Sequence, residues 1–157
     1  KNYQAGLQLS RQSVQANGCN PLAWWAYSNA LQCIGETDQA YAAAQNAKVL
    51  AEGTRLKFWC DFQVSVTAAL AGRTGEAIRY GESASALAPD FRPPVRYLTA
   101  LYAVEGKAEQ LTRKLHTLRS LEADFTIERM INDHDYPIGM MRRYGKNFTE
   151  GLSLADV

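Results

Sequence analysis

The chain has little with which to do chemistry. It holds only 2 histidines and 3 cysteines among 157 residues. Cys19, Cys33 and Cys60 are odd in number and irregular in spacing, which speaks against a disulfide framework and against a zinc-ligand pattern. His116 and His134 lie far from them in sequence. Free thiols fit a reducing compartment, so a cytoplasmic domain is expected. Charge of neither sign dominates: 17 Lys and Arg against 16 Asp and Glu leave +1. A chain that contacts nucleic acid usually shows a basic excess, so no direct nucleic-acid contact is expected. No apolar run approaches the ~20 residues of a membrane helix, so no membrane partner is expected either. Strand signals are missing as well: there is no sustained alternation, and no Asn-Gly or Asp-Gly turn between β-rich runs. Nor is there a phosphate-binding loop. Gly72, Gly75 and Gly81 follow no strand, and Gly106-Lys107 lacks a following Ser or Thr. His134-Asp135 has no metal partners nearby and reads as a solvated block at a helix end. Cys33 and Cys60 lie in apolar helical segments, where cysteine acts as a small hydrophobe. With no catalytic constellation, neither an enzyme nor a cofactor is expected.

What is present is a 46% apolar chain, long enough for one domain with its own core. It opens at Lys1 without Met or a secretory signal and reads as a piece of a longer protein. Three segments resemble one another: Gly35-Glu36-Thr37-Asp38-Gln39-Ala40, Gly72-Arg73-Thr74-Gly75-Glu76-Ala77 and Gly106-Lys107-Ala108-Glu109-Gln110-Leu111. Gly35 and Gly72 are 37 residues apart, Gly72 and Gly106 34. Trp24, Tyr27, Ser28 and Leu31 share one helical stripe, and Ala40, Ala44 and Ala47 form a small-residue stripe on the next helix. Each glycine ends a first helix, where a residue tolerating positive φ is wanted. Pro21, Pro89, Pro93 and Pro94 fall between periodic stretches. The pattern predicts helices near 3–16, 22–34, 38–52, 55–71, 74–87, 92–105 and 108–121.

These features resemble the tetratricopeptide (TPR) repeat family, whose period is 34 residues. Trp24, Leu31, Ala40 and Ala47 take the family's packing positions in the first full repeat; Ala77, Ala84 and Pro89 do so in the second. In the third, Leu98 and Tyr102 fit the first helix, while Leu111 and Leu118 stand where the family has small residues. The resemblance implies an all-α, right-handed superhelix of antiparallel helix pairs in one domain over 1–157. Within it, 1–20 would be the second helix of an incomplete repeat, 21–54, 55–91 and 92–124 the helix pairs, and 125–157 a C-terminal cap. Such a cap is needed because a repeat stack cannot leave its last apolar face in water. An N-cap within Asp124–Thr126 would open a helix at Ile127, and Pro137 would open a last one. The stretch from Leu121 to Met130, then Asp135-Tyr136-Pro137 and Gly151-Leu152, also resembles the end of TPR regions in bacterial winged-helix transcriptional regulators and class III adenylate cyclases.

In the TPR family the first helices line a concave groove. Transferred to this chain, the resemblance puts Leu22, Trp25, Asn29, Gln32, Trp59, Phe62, Val66 and Arg96 on that face. Trp25 and Trp59 stand where chaperone-binding members carry basic residues, so an acidic C-terminal tail is not the expected ligand. Successive helical residues point about 100° apart, so Trp24 is assigned to the core and Trp25 to the groove. The expected function is recognition of a protein or peptide, or homodimerisation, through aromatic anchors, as a module of a larger regulator. A small-ligand sensor is the alternative, as is the regulatory domain of a nucleotide cyclase. A structural alternative is that these rings are core, covered by the cap or by further repeats. Arg142, Arg143 and Lys146 form a short basic cluster that suits a helix end better than a phosphate.

Overall fold

The computed structural model describes residues 2–134 and 138–153. Its helices are α1 (Tyr3–Ala16), α2 (Pro21–Cys33), α3 (Thr37–Ala51), α4 (Lys57–Leu70), α5 (Thr74–Leu87), α6 (Arg92–Val104), α7 (Ala108–Leu121), α8 (Ile127–Asn132) and α9 (Ile138–Ser153). Among the described residues there is no strand. The pairs α2/α3, α4/α5 and α6/α7 stack in chain order, with α1 against α2. Pro89 lies in the turn between α5 and α6, as expected, whereas three other prolines open helices instead of separating them. Pro21 is the first residue of α2, and Pro93 and Pro94 lie in the first turn of α6, where a missing N–H leaves no bond unmade. The proposed helix start at Pro137 lies outside the described residues.

The repeat register is written in the turns. Gly35, Gly72 and Gly106 have φ of 85°, 77° and 65°. The N–H groups of Glu36, Arg73 and Lys107 return to the carbonyls of Leu31, Ala68 and Tyr102 at 3.0, 2.8 and 3.0 Å. That is the six-to-one closure of a helix ending in a left-handed residue. A second repeated bond ties each first helix to its partner. Ser28 Oγ donates to the Ala40 carbonyl at 2.8 Å, and Ser65 Oγ to the Ala77 carbonyl at 2.7 Å. Their counterpart Thr99 instead donates to Val95 within its own helix, at 2.8 Å. There the bulkier Leu111 stands in place of alanine and is buried, so apolar contact replaces the bond.

Ala40, Ala44 and Ala47 are buried, so α3 approaches α2 closely and large rings fill the margins. The largest core cluster joins α4, α6 and α7 to Met130 of α8 and to Phe148 and Leu152 of α9. The last helix bends at Gly145 (φ 47°, ψ −116°), a conformation open to glycine. It caps the stack by resting on α6 and α4, both first helices. Three contacts seat it. Tyr144 donates to the Ala69 carbonyl at 2.9 Å. The Arg143 guanidinium lies at the C-terminus of α4, close enough that a Cβ on Gly72 would come within 2.5 Å of it. Gly151 lies so close to Ala103 that a Cβ there would overlap its carbonyl. A cation at a helix C-terminus is the favourable placement. Lys146 pairs with Glu150 at 3.1 Å; Arg142 is outside the described side chains.

Only one of the two cysteines assigned to apolar packing is buried. Cys60 is fully buried, whereas Cys33, on the last turn of α2, is exposed, as is Cys19. Burial, with a lesser contribution from the Asp61 carboxylate, pushes the Cys60 thiol up to about 11. In native protein at neutral pH, iodoacetamide should therefore label Cys19 and Cys33 and spare Cys60. Mass spectrometry that finds Cys60 labelled as fast as the other two would contradict this packing.

Candidate partner-binding face

The amino-terminal turns of α2, α4 and α6 bring six rings into a continuous strip. Trp25 meets Trp59 edge to face with centroids 5.3 Å apart. Phe58 lies 6.4 Å from Trp59 and 5.2 Å from Phe91. Phe62 stands edge to face with both Phe91 and Tyr97, at 5.7 and 5.4 Å. Edge-to-face pairing is the favoured aromatic arrangement. Trp59 is 40% exposed and Leu22 44%. Burial pushes the Tyr97 hydroxyl up to about 12.

Beneath the strip lies a polar brace. Gln63 is buried on α4, and its Nε2 donates to Ser28 Oγ at 3.0 Å and to Gln32 Oε1 at 3.2 Å. This fixes the first repeat against the second and turns the Gln32 amide so that its oxygen is committed. Asp61, where the first repeat has Trp24, is also buried. It accepts from Ser83 Oγ at 2.6 Å and pairs with Lys57 at 3.3 Å, leaving Oδ1 without a hydrogen bond.

The groove positions named above therefore divide. Trp25, Trp59 and Phe62 are rings of the strip and Gln32 belongs to the brace; Trp59 and Leu22 are exposed, and Trp25, Asn29, Gln32 and Phe62 half-buried. Val66 is only 4% exposed and offers no surface. It stands three residues before Ala69 on the same helical face, at the end that α9 closes. Arg96 is bound to buried Glu122 at 2.7 Å, joining α6 to the end of α7. The division of Trp24 from Trp25 is incomplete. Trp24 does pack against Leu31, Ala40 and Ala43, yet both indoles touch the Ala47/Ala51/Cys60 cluster. The Trp25 N–H is buried there without a hydrogen-bond partner.

Phe58, Phe91 and Tyr97 belong to the strip and had not been singled out. Phe91 caps α6 from a loop, so a rule based on helix positions cannot find it; its sequence signal is an aromatic residue just before Pro93-Pro94. Phe58 and Tyr97 are neighbours of Trp59 and Arg96, one helical position away from the residues the family mapping selected.

A right-handed stack of antiparallel helix pairs closed by a terminal helix is the TPR type of helical repeat fold. Solved structures similar to this chain include MamA. A crystal structure of MamA protein is 14% identical, with a TM-score of 0.71 over 99% of this chain and 84% of that one. A second crystal structure of MamA is 13% identical, with a TM-score of 0.71 over 97% and 90%. The MamA RS-1 ArsTM double mutant is 14% identical, with a TM-score of 0.70 over 98% and 85%. At such low identity these likenesses establish the fold alone. No protein-family model and no curated protein matches the sequence. No helix among the described residues is long and apolar enough to cross a membrane.

Proposed function

We propose that the chain is a protein-interaction module that holds a peptide segment of its partner on the ring strip. The observation that carries this is the strip itself: six rings joined across three helices, with Trp59 and Leu22 left open to solvent. A contiguous exposed apolar patch on a folded domain marks a binding surface. Tryptophan is also a frequent anchor of binding energy. The strip is an open face. A cavity of about 370 Å³ lies elsewhere, lined by Glu82, Tyr102, Gln110, Arg113, Lys114 and Thr117. A small-ligand sensor would want its apolar groups inside an enclosed cavity, so the open strip favours a macromolecular segment. Neither the fold nor the structural neighbours adds support for the winged-helix regulator or cyclase context suggested by the C-terminal run.

Selection from a random peptide library tests this reading. Peptides enriched on the native protein should be apolar and should lose at least roughly tenfold in affinity on Trp59→Ala, the change expected when an anchor is truncated. Trp59 is the right residue to change because it is exposed, so the fold should survive; Trp25 also supports the core. Enriched peptides that bind the variant as tightly as the native chain would place recognition elsewhere. Concentration-dependent dimerisation lost in Trp59→Ala would instead make a second copy the partner.

A further inference from the structure

The gaps between successive second helices are filled differently along the stack. Between α3 and α5 they hold rings. Tyr41 donates to Glu76 across the gap, and Lys48 of α3 lies over the Tyr80 ring, 5.3 Å from its centroid. Arg79 lies over the same ring at 4.6 Å and donates to its hydroxyl at 3.0 Å. The register of 34 residues from Gly72 to Gly106 carries Arg79 onto Arg113 and Tyr80 onto Lys114. Lys114 has no ring; its slender chain reaches Glu82 of α5 at 2.8 Å. Beside it, where a ring's bulk is missing, lies the cavity of about 370 Å³ between α5, α6 and α7.

We propose that this cavity binds a small phosphate ester that also carries hydroxyl groups. Gln110, Arg113, Lys114 and Thr117, spaced i, i+3, i+4 and i+7, turn one polar face of α7 onto it. Two cations on that face have donors to spare. Among the described residues the Arg113 guanidinium pairs with Glu109 alone, at 3.3 Å. Both partners are exposed, and such a pair is weak and readily exchanged. Lys114 spends one N–H on Glu82 and has two more. The Gln110 amide has no hydrogen-bond partner among the described residues. Donors from three side chains suit the three terminal oxygens of a phosphate better than the two of a carboxylate. The rest of the lining accepts. Glu82 takes bonds from Tyr102 at 2.6 Å and Lys114 at 2.8 Å and has lone pairs left. The Thr117 hydroxyl donates to the Arg113 carbonyl at 3.1 Å, which leaves its oxygen free to accept. These acceptors call for hydroxyl donors, and the Glu82 charge keeps the anionic end on the Arg113 side. A bare phosphate would leave most of the volume empty, so the ester has a body. The surroundings draw anions in: residues 107–121 carry Lys107, Arg113, Lys114 and Arg119 against Glu109.

Calorimetric titration of the whole chain with glucose 6-phosphate tests this, in about 0.15 M NaCl, where charges more than about 8 Å apart are largely screened. Saturable binding with Kd below roughly 1 mM is expected, and at least roughly tenfold weaker binding of glucose, glucuronate and inorganic phosphate. Arg113→Gln should weaken glucose 6-phosphate by at least roughly tenfold. Lys107→Gln removes the same charge outside the cavity and should change affinity less than about twofold. Lys114→Tyr puts back the ring found at the matching position of α5 and should abolish binding, with circular dichroism reporting the fold. If that variant does not fold, Arg113→Gln decides, because its side chain is 66% exposed and the fold does not depend on it. Absence of saturable heat overturns the proposal. Glucuronate binding as tightly overturns the phosphate, and glucose or inorganic phosphate binding as tightly overturns the combination of anion and hydroxylated body. Equal losses in Arg113→Gln and Lys107→Gln would reduce the effect to the general field of α7 and overturn the site.

Discussion

Gly151→Ala is expected to destabilise the protein by about 3 kcal/mol, although alanine in a helix is ordinarily worth about 1 kcal/mol over glycine. The reason is the seat of α9. A Cβ at this position would overlap the carbonyl of Ala103 and lie 3.0 Å from its Cα. These are backbone atoms of a buried helix and cannot swing aside as a side-chain tip would. The molecule has two responses. It can keep α9 docked and strain both helices, at the 1–3 kcal/mol typical of overpacking or more for a backbone clash. Or it can release α9 and expose Phe148 and Leu152, fully buried now, at about 1.5–3 kcal/mol each. Whichever is cheaper sets the cost, and the gain in helix propensity offsets part of it. For a domain of this size 3 kcal/mol lowers Tm by about 6–12 °C. Gly75→Ala is the control, since nothing lies within 4 Å of its Cβ position, and its Tm should stay level or rise slightly. A Gly151→Ala protein that melts at or above the native temperature would show that the close approach is not what seats the helix.

That seat was not legible in the sequence, whereas the helix pairs were. The glycine register depends on contacts within a few residues: a turn glycine, then a six-to-one hydrogen bond from the residue after it, repeated at Glu36, Arg73 and Lys107. Such local signals survive in a single sequence. A cap was expected because a repeat stack must end, but its position depends on Gly151 meeting Ala103 and on Tyr144 reaching Ala69, and no periodicity encodes either. The candidate site failed at the corresponding places. Mapping by repeat position treats every first helix alike, so it put Val66 and Arg96 on the open face. Neither the end closed by α9 nor the partner Glu122 belongs to the repeating positions. It missed Phe91 for the complementary reason, that a loop has no repeat position. Of the ring positions it did name, Trp25 and Trp59 meet where repeats one and two join, and Phe62 reaches on to Phe91 and Tyr97.

Trp24→Ala is expected to cost about 3 kcal/mol, the low end of the range for deleting a large buried ring because part of the indole remains in solvent. Among the described residues, Trp24 is the one that packs against both small clusters, Leu31/Ala40/Ala43 and Ala47/Ala51/Cys60. It meets Tyr27 edge to face with centroids 6.3 Å apart. Its N–H donates to the Gly18 carbonyl at 2.8 Å, holding the turn between α1 and α2. Most of the side chains facing it are alanines, which cannot extend into the space it would leave, so the cavity would stay open. The lost hydrogen bond adds little, because the Gly18 carbonyl is exposed and can turn to water. The neighbouring substitution Trp59→Ala should cost well under half as much, since Trp59 is exposed and its main contacts are other rings of the strip. Urea unfolding of the two variants measures the contrast directly. If Trp24→Ala and Trp59→Ala shift the midpoint equally, the separation of a packing ring from an exposed recognition ring is wrong. If Trp59→Ala costs more, the strip is chiefly core and the binding face has to be sought elsewhere on the molecule.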